Sequence, residues 1–139
     1  MSDRPLSGIR VVESVQGPLA MIGRYLADLG AVVDRFATEA DAGAEAVVAN
    51  AGKRLHTGNL GSPEAATAIE SAHIVIAGRA SGDDLAALRR ARPGLITMTV
   101  SDFGEDGPLA EWRATGPVLH ALSAVLSRSG IRGREPLLP

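Results

Sequence analysis

Between Ser7 and Phe36 the hydrophobic pattern changes period twice. Ile9 to Val12 is a short apolar run with β-branched residues and polar neighbours, which predicts a buried strand. Gly17-Pro18 breaks it, and proline suits a first helical position because the amide there has no intrahelical partner. Leu19, Ile22, Leu26 and Leu29 then recur at helical spacing, with Arg24 and Asp28 on the other side, predicting a helix over 19–29. Gly30 stands where a helix takes its C′ glycine, and Ala31 to Phe36 is a second β-rich run. Strand, helix and strand in about thirty residues make a βαβ unit, whose crossover is right-handed in nearly all cases. Ligands of such units sit at the carboxyl end of the first strand, where the helix N-terminus offers free amides. Here that place is Glu13 to Pro18.

The pattern continues in alternation. Ala37 to Ala51 is alanine-rich and acidic, and its pattern fits a short helix and a surface loop equally. Lys53 to Leu60 has the makings of a short strand. Ser62-Pro63-Glu64 is a helix start, with serine as N-cap and proline at the first position, and the helix should reach about Ser71. His73 to Ala77 is an apolar strand. Ser81 to Asp84 opens another helix, with acids at its positive end and Arg89, Arg90 and Arg92 near its negative end, and Pro93-Gly94 stops it. Leu95 to Val100 is the next strand, followed by a glycine-punctuated loop over Ser101 to Pro108. A last helix is predicted from Gly116-Pro117 through Val118, Leu119, Leu122, Val125 and Leu126, ending at Ser129-Gly130.

Alternating strands and helices imply an α/β fold, a Rossmann-like three-layer domain with a mainly parallel sheet covered on both faces. The strands are expected near 9–13, 31–36, 73–77 and 95–100, the first of them central because both neighbours arrive by helical crossover. The expected domain covers 1–131, with 132–139 a polar tail.

Composition narrows the function classes. The chain has 139 residues, enough for one domain with a core, and 45% of them are hydrophobic. Only 3% are aromatic, so that core has to be aliphatic and closely meshed. A net charge of −2 gives no reason to expect nucleic acid or an anionic membrane as partner. Without cysteine there is no disulfide, thiolate metal site or cysteine nucleophile. No stretch has the length of a membrane span and Met1 to Pro5 lacks the form of a signal peptide, so the expectation is a soluble cytoplasmic protein.

Several kinds of site are ruled out by spacing. Val15 to Pro18 holds one glycine where a dinucleotide fingerprint needs three, and Gly52-Lys53-Arg54 lacks the preceding glycine of a P-loop. Ala77-Gly78-Arg79 offers no phosphoacceptor aspartate. His56, His73 and His120 show no ligand spacing, so no metal is expected, and His73 and His120 read as packing or surface histidines. Glu13 is the best-placed carboxylate, expected to face solvent or cap the next helix. Lys53, Arg54 and Arg79 suit phosphate groups as charged donors and suit a solvated basic turn equally well.

With those residues in view, the chain resembles the N-terminal part of the family III CoA-transferases, the group that includes α-methylacyl-CoA racemases. The likeness rests on Pro5 to Glu13, on Gly17-Pro18 with Leu26 to Ala31, and on Asn50 to Arg54, similar to the family's Asn-x-Gly-Lys-Arg segment. Arg90 to Ile96, Phe103 to Pro108, Pro117-Val118 and Ala121 to Ser123 match further segments. The resemblance implies CoA or an acyl-CoA as ligand and substrate, with Gln16 and Gly17 near the nucleotide and Lys53, Arg54 and Arg79 as phosphate partners. It implies nucleophilic catalysis by an aspartate that lies just beyond the matched stretch. The racemase histidine maps to Thr115 or Gly116, so no catalytic residue is assigned in this chain. The Ser14 to Gly17 turn is shorter than the family's loop, and the aromatic–proline–glycine turn expected after Arg79 is missing. The expectation is therefore a fragment or domain of a longer protein, inactive alone, that binds CoA on the order of millimolar. Its partners would be the rest of that parent chain or a second copy; a non-catalytic packing or dimerisation scaffold is the alternative.

Overall fold

The computed structural model describes residues 4–38, 43–79, 85–131 and 133–135, the side chain of Pro18 excepted. The chain divides into two compact units, Met1–Ser101 and Asp102–Pro139, whereas the sequence expectation ran one domain to residue 131. The first unit is α/β. Its strands are β1 (Arg10–Ser14), β2 (Val32–Ala37), β3 (Arg54–Thr57), β4 (Ile74–Gly78) and β5 (Ile96–Val100), and its helices are α1 (Met21–Asp28), α2 (Ala44–Asn50), α3 (Pro63–Glu70) and α4 (Leu85–Ala91). All strand pairings are parallel, in the order β3-β2-β1-β4-β5, so β1 is central as its apolar run requires.

Strand alternation splits the core in two. Val12, Phe36, Val75 and Ala77 pack with Leu60, Ala65, Ile69, Leu85 and Leu95 on the face covered by α3 and α4. Val11, Val33 and Ile76 pack with Ala20, Ala27, Ala31 and Ala49 on the face of α1 and α2. Alanine dominates that second layer, which lets the helices approach the sheet closely.

Local signals account for most boundaries. A 3-10 turn (Gly17–Ala20) leads into α1, and Gly30 follows it at φ +106, a conformation that a Cβ would strain. Arg24 and Asp28 meet at 2.9 Å across one turn of α1. Ser62 has extended backbone and accepts a hydrogen bond from the Ala65 amide at 3.2 Å, with Pro63 opening α3. Ser62→Ala is expected to cost about 1 kcal/mol in urea unfolding; an unchanged midpoint would show that the cap contributes nothing. Arg92, just past α4, ties down the end of α3: its guanidinium donates to the carbonyls of Ile69 and, at 2.9 Å, Ala72.

Two stretches that the sequence left open take one of the forms it allowed. The 37–51 stretch contains α2, and Lys53–Leu60 contributes the edge strand β3. The helix start expected at Ser81–Asp84 lies outside the described residues, as does most of the 132–139 tail.

In the second unit, Asp102 accepts a hydrogen bond from the Ala114 amide at 3.0 Å, and Phe103 meets Trp112 edge to face at 6.3 Å. Helix α5 (Gly116–Leu122) starts where Gly116-Pro117 predicts, but it is shorter than expected. Ala124 at φ 61 interrupts it, and Val125–Arg128 continues only as a 3-10 turn. Hydrophobic periodicity carried no trace of that left-handed residue.

Candidate functional site

The sheet order reverses at β1. The connections from its two sides leave in opposite directions there, and in open α/β sheets ligands bind in the crevice outside the strand ends at such a point. The pairing of Ser14 with Ala77 brings the ends of β1 and β4 level. Gln16 and Gly17, both exposed, follow β1, and Arg79, half-buried, follows β4. Three of the residues selected from sequence thus flank the point where the strand order reverses.

Beside it lies a buried charge cluster. Glu13, the fourth residue of β1, has 0% of its side chain exposed, Arg35 of β2 has 2%, and Lys53 has 0%. Register pairs Glu13 with Arg35, so both project on the α1 face. The Arg35 guanidinium is 3.4 Å from Glu13 Oε1, and the Lys53 ammonium donates to the same oxygen. Lys53 Nζ also donates to the Ala20 carbonyl at 2.5 Å. One lysine therefore joins the turn before β3, the end of β1 and the start of α1. Room for the carboxylate comes from Gly23 of α1: a Cβ there would lie 1.9 Å from Glu13 Oε2. That oxygen accepts no hydrogen bond among the described residues.

Glu13 is accordingly not a solvent-facing or helix-capping carboxylate. Its position between apolar strand residues puts it inside, and burial of a charge requires paired partners. Of the expected phosphate donors, Lys53 has its ammonium directed inward, while Arg54 is exposed on the edge strand and registers with Asp34. Arg54 thus stands two strands from β1, on the face opposite Glu13. On its face His56 Nε2 lies 2.9 Å from Asp34 Oδ1, and the imidazole stacks on Phe36 at 4.6 Å and 12°. His73 is exposed, and its Nδ1 accepts the Arg10 amide at 3.1 Å. Among the described residues no group of three or more His, Asp or Glu side chains is placed to hold a metal ion. No helix among them is long and apolar enough to cross a membrane.

The sequence model described as CoA-transferase family III matches residues 6–139. The chain belongs to that family. Among curated relatives, the probable CoA-transferase Rv1866 of Mycobacterium tuberculosis is 51% identical over 45 residues, 32% of this chain and 6% of that protein. Among solved structures, a CAIB/BAIF family protein from Brucella suis matches with a TM-score of 0.81 at 24% identity, over 98% of this chain and 43% of that one. Rv3272 from M. tuberculosis matches with a TM-score of 0.70 at 23% identity, over 97% of this chain and 44% of that one. These likenesses establish the fold, and the chain spans less than half of either structure. Within the family III framework, sequence reasoning missed Arg35, Gly23 and the inward role of Glu13. The available signal was Asp34-Arg35 inside an otherwise apolar strand, which marks buried charges in need of partners.

Proposed function

We propose that this chain forms the nucleotide side of a CoA site in a family III CoA-transferase, binding CoA or an acyl-CoA at the crevice between β1 and β4. The observation that carries the reading is the placement of Gln16, Gly17 and Arg79 at the strand-order reversal. Arg79 supplies a charged donor for a phosphate, Gln16 an amide, and the Gly17–Ala20 turn backbone amides that lead into a helix N-terminus. Arg54 is a second, outlying cation. Lys53 serves the site through Glu13 and Ala20, which hold its ammonium. The acyl-transfer chemistry of the family is assigned to no residue described here.

Charge-assisted contacts contribute about 1.5–3 kcal/mol each, and ordering a flexible ligand offsets part of that. The expected affinity is on the order of millimolar. An NMR titration of the chain with CoA should shift the amides of Gly17 and Arg79, and Arg79→Ala should raise Kd about tenfold. Shifts confined to other strands would reject the site. A scaffold that binds no ligand is the second reading, favoured by the inward turn of Lys53, and a flat CoA titration on a folded chain decides for it.

A further inference from the structure

We infer that Glu13 is a positioning residue, whose carboxylate holds the Lys53 turn and the Gly17–Ala20 turn together beside the β1–β4 crevice. The inference rests on the CoA reading for its functional meaning, but its structural content stands on contacts alone. Lys53 Nζ has two acceptors in hand, Glu13 Oε1 and the Ala20 carbonyl, and they belong to different segments. The carbonyl at Ala20 ends the turn that begins with Gly17. Without the carboxylate, the ammonium would lie buried beside Arg35 without the counter-charge that Glu13 supplies, which favours its exit to water and the release of Ala20. The loop that Gln16 and Gly17 share would then lose its tie to β3. Gly23 is the complementary half of the device, because any side chain there would displace Oε2.

Lys53 is the chain's only lysine, which makes the inference directly measurable. The folded chain is treated with an amine-reactive acetylating ester, and acetylation at residue 53 is followed by peptide mass spectrometry. In the native chain it should be slower than in urea by roughly a hundredfold, since the amine reacts only through local opening. Glu13→Gln keeps the shape and removes the charge; Gly23→Ala keeps the charge and displaces it. Each should raise the native labelling rate by about tenfold or more. The Kd for CoA is measured by NMR on the same proteins, at a temperature where circular dichroism shows each fully folded. It should rise about tenfold for Glu13→Gln, whereas a purely stabilising residue would leave the Kd of the folded chain unchanged.

Native labelling of Lys53 at the unfolded rate, or labelling indifferent to both substitutions, overturns the inference. So does a freed Lys53 with an unchanged Kd. A wild-type chain that shows no CoA shifts sinks the CoA reading instead, and the labelling rates still decide whether Glu13 holds Lys53. Should Glu13→Gln not fold, wild type and Gly23→Ala carry the comparison.

Discussion

Gly23→Ala is expected to destabilise the chain by about 2–4 kcal/mol, although alanine is the better helix former. Two effects oppose each other. Replacing glycine inside a helix gains about 1 kcal/mol of intrinsic propensity. Against it, the new methyl would stand 1.9 Å from Glu13 Oε2 and 2.6 Å from the carboxyl carbon, so the carboxylate has to move. The end of a flexible side chain usually yields at little cost, but this one is enclosed and held by Lys53 and Arg35. Breaking a buried pair costs about 3–5 kcal/mol, and that term prevails. Urea unfolding measures the difference. The decisive control repeats the substitution in a Glu13→Ala background, where the overlap is gone and Gly23→Ala should turn neutral or favourable. If it remains harmful there, the cause is not the carboxylate.

Phe36→Ala should cost about 3–5 kcal/mol, a large share of the 5–15 kcal/mol typical of whole domains. Phe36 is 1% exposed and packs with Val12, Val75 and Leu60, while Tyr25 and Trp112 are exposed and Phe103 is half-buried. It is thus the buried aromatic in a core otherwise built from aliphatic side chains and alanine. Its loss also removes the ring against which His56 stacks. Phe36→Leu keeps most of the volume and should cost less than about 1.5 kcal/mol. Equilibrium unfolding of both variants checks the ordering, and an alanine variant within 1 kcal/mol of wild type would mean that the site collapses around the gap.

What was legible in the sequence was what local chemistry encodes. The Ile9–Val12 run, the Ser62-Pro63 helix start and Gly30 each act within a few residues, and the strands and helix ends follow them to within a residue or so. The central place of β1 followed from handed crossovers, which is again a rule about neighbours in sequence. The positions of Gln16, Gly17 and Arg79 were legible because each closely follows a strand that the local pattern marks. It was not legible at Glu13, because its partners Arg35 and Lys53 lie 22 and 40 residues away. Pairing at that distance is decided by register, which no window of sequence contains. Edge strand β3 was only half visible for the same reason: four residues of mixed polarity become a strand by pairing with β2.

The depth of the Glu13 cluster also sets how the protein meets ionic strength. Mobile ions screen charges that water surrounds, over about 8 Å at physiological concentration, and reach enclosed pairs far less. Arg24 and Asp28, partly open to solvent on α1, will weaken as salt is added, and so will the hold on any anion that Arg79 binds at the end of β4. The link between Glu13, Lys53 and Arg35 will not. Salt should therefore strip a charged ligand from this surface while the frame that presents it stays closed.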